Sequence, residues 1–328
     1  MTYNFCTVTD SKYLHFGISL YKSIQKYSND FVLYYLCTDQ KCYDKLYELN
    51  FENIIPISLE DLENGDPELL KAKNQQPSDE AKTQERYWQS TDNKKNAQWM
   101  QYFWALSSYF SWHVLKTYQT DHILYVDSDI YFFNDWKAVF AETNNRSIGL
   151  VSHRLSEWSE TRIWGEDWES TTEKGTIPHS GFFNVGVVYF KNNDVGLKCV
   201  ETWKNWLLNP SNKYYKDYGN IGDQRYLMLF IPLFGRENVA VLENLGHLAP
   251  WNVQNHGYDN NKITWQGKEQ ILTYYHFSNF AADFENDNYA PAPRHGNAHG
   301  MLNGNEYLRN LHDEYFQSLK ESKAILGW

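Results

Sequence analysis

The first 57 residues alternate between two hydrophobic periods, and that alternation limits the fold more than any other feature of the chain. YNFCTVT (3–9) reads as a strand, and SKYLHFGISLYKSIQKY (11–27) as an amphipathic helix with Ser11 as its expected opening residue. FVLYYLC (31–37) predicts a second strand, QKCYDKLYEL (40–49) a second helix and NIIPIS (53–58) a short third strand. A βαβαβ order requires crossover helices, so the sheet is parallel, its faces are covered and the class is α/β.

Beyond that unit the pattern loosens before it returns. Residues 60–96 are polar and charged, and predict a partly helical excursion over the surface. The aromatic-rich run 97–118 is apolar nearly all round, which predicts a helix buried against the sheet. Strands are expected at 122–127, 147–152, 182–190, 239–244 and 270–277, and helices at 193–208, 221–231 and 305–323. The expected organisation is a main domain over 1–285, with a loop and helix over 286–328 packed on it.

Composition excludes some partners. A formal net charge of −11 and a pI near 5.5 speak against nucleic acid and against an anionic membrane surface. No apolar run reaches the ~18 residues of a membrane span. The N-terminal MTYNFCTVTD shows no basic stretch followed by an apolar one. The four cysteines have neither a CxxC pair nor zinc spacing, so reduced thiols and a cytoplasmic location are expected. Aromatic residues form 17 % of the chain, which serves packing first and sugar stacking second.

Chemistry is concentrated in ILYVDSDIYFF (123–133), an apolar strand interrupted by Asp127-Ser128-Asp129. Ionised carboxylates are costly to bury unless they are paired, hydrogen-bonded or on a metal. In an open α/β sheet, ligands collect at the carboxyl ends of strands, where Asp127 and Asp129 fall. Two carboxylates there suit a hard divalent cation, and equally suit turn or cap aspartates. A haloacid-dehalogenase-type phosphatase also ends a strand in DxD, but it needs further paired acidic residues, and this chain has no DD. A carbohydrate-binding protein without catalysis is the third reading. Later pieces narrow the choice: FNVG (183–186), where Gly186 predicts a close backbone approach; GDQ (222–224); HLAPWN (247–252), an aromatic turn; and YYHF (274–277).

In that order these motifs resemble the GT-A glycosyltransferases of family 8. SHR (152–154), ERYW (85–88) and APWN (249–252) are similar to bacterial relatives of that group. The resemblance implies a Rossmann-like GT-A fold with a mixed, mostly parallel sheet. It also implies retaining transfer of a sugar from a nucleotide-diphosphate donor, a UDP-sugar, to a glycan or glycolipid. Asp127, Asp129 and His276 would hold Mn²⁺ or Mg²⁺. Thr7, Thr9, Asp10, Tyr13 and Ser128 would lie along the nucleotide, with His153 and Arg154 near it. Asn184, Asp223 and Gln224 would surround the donor sugar. The family's lysine after the late histidine is missing from HFSNFAADFEN, and Arg294 is the nearest late cation. The family's basic residue in the helix before DxD is missing from FWALSSYF, where Arg86 or Lys95 would have to reach instead.

Overall fold

The structure is a computed structural model. It describes residues 2–74, 93–155, 181–209, 211–214, 222–259, 262–292, 302 and 304–328, with the side chains of 93–100 excepted. Arg86, Arg294 and the ERYW motif lie outside the described residues, as does the Lys95 side chain.

Seven strands form the central sheet: β1 (Tyr3–Thr9), β2 (Phe31–Cys37), β3 (Ile54–Ser58), β4 (His122–Val126), β6 (Ile148–Ser152), β7 (Phe183–Lys191) and β8 (Val239–Val241). A smaller sheet holds β5 (Ile130–Phe132), β9 (Gly246–Leu248), β10 (Gly257–Asp259), β11 (Lys262–Trp265) and β12 (Lys268–His276). The large sheet runs β3-β2-β1-β4-β7-β6-β8, with β7 antiparallel to both of its neighbours and all other pairs parallel. Parallel strands are buried on both faces and so read as unbroken apolar runs. HILYV of β4, every residue buried, is such a run.

The opening unit follows its predicted order through α1 (Leu14–Gln25) and α2 (Gln40–Leu49). Ser11 is not the cap of α1. Tyr13 holds that position without a side-chain bond, Asp10 Oδ1 accepts the Tyr13 N–H at 3.0 Å, and the Ser11 N–H donates to Asp39 at 2.8 Å. Asp39 also caps α2 by accepting the Cys42 N–H at 2.8 Å, so one carboxylate ties the ends of β1 and β2 together. The polar excursion contains α3 (Leu59–Gly65) and α4 (Pro67–Asn74), and α5 (Asn93–Thr117) follows.

The expected burial of α5 is realised. Tyr102, Leu106 and Phe110 pack with Trp203 of the helix Asp194–Leu208 against one sheet face. On the other face, Leu14 and Ile18 of α1 pack with Trp136. The last helix, Glu306–Leu326, is capped by the Asn305 side chain and lies on α1, where the Ser19 and Ser318 hydroxyls bond at 2.7 Å. The expected helix at 221–231 is instead a 3-10 turn, Gln224–Leu229, followed by a short α-helix, Phe230–Phe234. No helix among the described residues is long and apolar enough to cross a membrane. All four cysteines are buried and unpaired.

Candidate active site

β1 and β4 are parallel neighbours with Cys6 beside Tyr125, so they deliver their carboxyl ends to the same edge. There the chain leaves β4 and turns: the Asp127 N–H donates to Gly186 O at 2.9 Å, and the Ile130 N–H to Asp127 O at 3.1 Å. β5 begins at Ile130 and pairs antiparallel with β12, which sets His276 opposite Ile130. The Phe277 N–H closes the arrangement on Asp129 O at 2.8 Å. His276 is far from Asp127 and Asp129 in sequence, and this pairing makes it their neighbour.

His276 Nε2 is 3.1 Å from Asp129 Oδ1 and 3.7 Å from Asp127 Oδ2. One ligand atom from each of the three residues lies within 4.8 Å of the others. Burial and the neighbouring Asp129 charge push the Asp127 carboxyl up to about 6, against the pull of His276 and a bond from Tyr125. Burial disfavours a charged His276, but Asp129 and Asp127 outweigh it and raise its pKa. Two carboxylates and an imidazole converging on one point fit a divalent cation whose other positions stay open to water or ligand.

Asn184, at the start of β7, sits behind His276. Its Oδ1 accepts the Gly186 N–H at 2.9 Å and is 3.1 Å from His276 Nδ1. Its Nδ2 donates to Gln224 Oε1 at 3.1 Å and faces His153 Nε2 at 3.4 Å. The close approach expected at Gly186 is real, because a Cβ there would come within 2.6 Å of both Asn184 and His276. Gly222, at φ +77, takes a backbone conformation that glycine adopts without strain, and it delivers Asp223 to the cluster. Asp223 is buried; its Oδ2 accepts the Ser107 hydroxyl of α5 at 2.9 Å, and its carbonyl accepts the Trp203 indole N–H at 3.1 Å. Burial first, and the Asp127 charge second, push the Asp223 carboxyl up to about 7.

His153 and Arg154 are adjacent but part company after β6. The His153 Nδ1–H donates to Gly181 O at 2.9 Å, its Nε2 faces Asn184, and burial lowers its pKa to about 4. The Arg154 guanidinium is committed elsewhere: it donates to Gln270 Oε1, Glu243 O and Leu245 O at 2.8–2.9 Å, and lies 4.0 Å over the Trp265 ring. It knits β6 to the smaller sheet. On the β1 side, Thr7 is fully buried with its hydroxyl lacking a hydrogen-bond partner among the described residues. Thr9 is buried next to it, Asp10 holds the turn into α1, and Tyr13 is 56 % exposed. Ser128 occupies the turn between the two aspartates.

The family model described as Glycosyl transferase family 8 matches residues 4–276. The chain belongs to glycosyltransferase family 8. It is therefore a glycosyltransferase, and the phosphatase and non-catalytic readings of the DxD fall away. YfnD, an uncharacterised protein of Bacillus subtilis (strain 168), is 27 % identical over 285 residues, covering 85 % of this chain and 78 % of YfnD. YfnF of the same organism is 26 % identical over 293 residues, covering 85 % of this chain and 82 % of YfnF. Among solved structures, mouse xyloside xylosyltransferase 1 superposes with a TM-score of 0.51 at 17 % identity, covering 85 % of this chain and 98 % of the mouse chain. The galactosyltransferase LgtC, in complex with donor and acceptor sugar analogues, gives 0.51 at 14 % identity, covering 91 % of this chain and 95 % of LgtC. At these identities the likeness is one of fold, and it is the GT-A fold.

Two side chains of this family-8 glycosyltransferase that contact the acidic cluster were not singled out by the motifs. Tyr125 donates its hydroxyl to Asp127 Oδ1 at 2.8 Å. It lies two residues before Asp127, and the strand period of two puts both on one face, which is the signal that could have found it. Ser107 on α5 reaches Asp223 across 116 residues of sequence, and nothing local marks it. Trp251, from the expected aromatic turn, donates its indole N–H to His153 O at 3.1 Å and presents its ring to His276, 5.2 Å between centroids.

Proposed function

We propose that the chain transfers a sugar from a nucleotide-diphosphate donor, a UDP-sugar, to a glycan or glycolipid acceptor with retention of anomeric configuration. Mn²⁺, or Mg²⁺, is the cation this reading gives to Asp127, Asp129 and His276. The observation that carries it is the convergence of these three side chains beside the buried Asp223, at the carboxyl edge of the sheet in a family-8 chain. Two carboxylate oxygens with one imidazole suit a cation that also takes phosphate oxygens. A bound divalent cation would neutralise the charge that grows on a departing diphosphate.

The chain's own groups supply the rest. Asp223, held by Ser107, is the carboxylate available to support an oxocarbenium-like sugar, and Gln224 flanks it. Thr7, Thr9, Asp10, Tyr13 and Ser128 are given to the nucleotide. The Thr7 hydroxyl, which has no hydrogen-bond partner among the described residues, and the exposed Tyr13 ring support that assignment. The likeness to LgtC, a galactosyltransferase solved with donor and acceptor sugar analogues, supports a sugar donor and a saccharide acceptor. Four buried, unpaired cysteines support a cytoplasmic location. The packing of Glu306–Leu326 on α1 supports a C-terminal part, 286–328, resting on the catalytic domain 1–285.

The test is a melting experiment with a panel of nucleoside diphosphates and their sugars, with and without Mn²⁺. UDP should raise Tm only when Mn²⁺ is present, by the equivalent of about 2.7 kcal/mol at 100 times Kd. Asp127→Ala should abolish that shift. A UDP shift that needs no metal, or that survives Asp127→Ala, refutes the assignment.

A further inference from the structure

We propose that Asn184 and Tyr125 are positioning residues that prepare the cation site, Asn184 by fixing the tautomer of His276 and Tyr125 by fixing which oxygen Asp127 offers. This inference rests on the reading of Asp127, Asp129 and His276 as cation ligands.

The tautomer follows from a backbone group whose role is not in question. An N–H can only donate, so the Asn184 atom 2.9 Å from Gly186 N is the amide oxygen. The same oxygen faces His276 Nδ1 at 3.1 Å, and two acceptors do not hydrogen-bond; Nδ1 therefore carries the hydrogen. With a hydrogen held on Nδ1, Nε2 gives its own hydrogen to Asp129 in the metal-free chain, and it is the nitrogen whose lone pair would meet a cation that displaces that hydrogen. Nε2 is the atom 3.1 Å from Asp129 and 3.7 Å from Asp127, at the centre of the acidic cluster.

The amide cannot turn over to offer its NH₂ instead. Its Nδ2 donates to Gln224 Oε1 at 3.1 Å, and that atom is fixed as an oxygen because it also accepts the Val185 N–H at 3.2 Å. The remaining Nδ2 hydrogen faces His153 Nε2, an acceptor because the Nδ1–H of that ring donates to Gly181 O. Both ends of Asn184 are thus held by partners of known polarity, and they pass that polarity to His276.

Tyr125 acts on the opposite ligand. Its ring is buried, and its hydroxyl donates to Asp127 Oδ1 at 2.8 Å. Oδ2, the oxygen nearest His276, is left for the cation. Groups that orient metal ligands in this way are typically worth about 10- to 100-fold in metal affinity.

The experiment titrates Mn²⁺ alone into the full chain, reading the free aquo ion by electron paramagnetic resonance, beside metal-free melting curves and ¹⁵N spectra of histidine-labelled protein. Tyr125→Phe should melt like the wild type without metal yet bind Mn²⁺ about 10- to 100-fold more weakly. Asn184→Leu should weaken Mn²⁺ by a similar factor and move the His276 ring hydrogen off Nδ1, a signal assigned by its loss in His276→Gln. Asn184→Asp keeps the accepting oxygen and should restore both the tautomer and most of the affinity. Wild-type Mn²⁺ affinity in both Tyr125→Phe and Asn184→Leu, or a wild-type His276 whose Nδ1 carries no hydrogen, overturns the proposal. A wild type that takes up no Mn²⁺ overturns the cation reading beneath it, while the metal-free ¹⁵N spectrum still tests the tautomer by itself.

Discussion

Replacing Gly186 with alanine adds one methyl group at the most crowded point behind the acidic cluster. The new Cβ would lie 2.6 Å from Asn184 Oδ1 and from His276 Cε1 and Nδ1. Ordinary contact begins near ~3.5 Å, so these atoms would have to retreat by about 1 Å. Neither side chain is free to do so. His276 is tied through the pairing of β12 with β5, and the Asn184 amide is held by Gln224 and by Gly186 itself. Overpacking of this kind costs ~1–3 kcal/mol. A catalytic constellation displaced by about 1 Å can lose ~100-fold in rate. Urea unfolding reads the first quantity, and Mn²⁺ affinity with sugar-transfer rate reads the second. Gly186→Ala should lose stability in the stated range, lose about 100-fold in transfer rate and bind Mn²⁺ more weakly. A variant equal to the wild type in unfolding free energy and Mn²⁺ affinity would show that the glycine does not support the cluster.

Two further outcomes follow from the buried charges. Asp223 has its pKa raised to about 7 in the folded chain, so the folded state binds its proton more tightly than the unfolded chain does. Its contribution is therefore most favourable below the ordinary carboxylate range and is lost as pH rises from about 4 to about 7. With metal chelated, Asp223→Asn should gain stability over the wild type between pH 4 and 8, by up to about 4 kcal/mol; urea titrations at both pH values check this, and a pH-independent difference contradicts it. Arg154→Ala strips donors from Gln270, Glu243 O and Leu245 O and uncovers Trp265, and should cost about 3 kcal/mol or more, read as a lower urea midpoint. Its Mn²⁺ affinity should stay at the wild-type level, because the guanidinium serves β6 and the smaller sheet.

The strands and helices of residues 3–58 were legible because parallel strands buried on both faces have no polar alternation to obscure them. The direction of β7 was not, since FNVGVVYFK is apolar in either orientation and only its pairing with β4 and β6 reveals the reversal. Ser11 has the chemistry of a cap, but Asp10 and Asp39 are better acceptors nearby and take over the turn. Within the cluster, residue type marked Asp127 and Asp129, the family resemblance added His276, and Gly186 announced a close approach. Sequence cannot say which way neighbours point, and so His153 and Arg154, read as one motif, separate into a cluster residue and a structural pin. Ser107 was invisible for a related reason: its partner is set by the packing of α5 on the sheet, and a serine on an apolar helix carries no local signal.

Metal-dependent sugar transfer is tested at its root by release of UDP from a panel of UDP-sugars, followed with Mn²⁺ present and after chelation. Release is expected from at least one UDP-sugar, with loss on chelation, recovery on returning Mn²⁺, and no recovery in Asp127→Ala. Release that continues at the same rate after chelation and in Asp127→Ala, or none from any UDP-sugar while another nucleotide sugar is turned over, would contradict it.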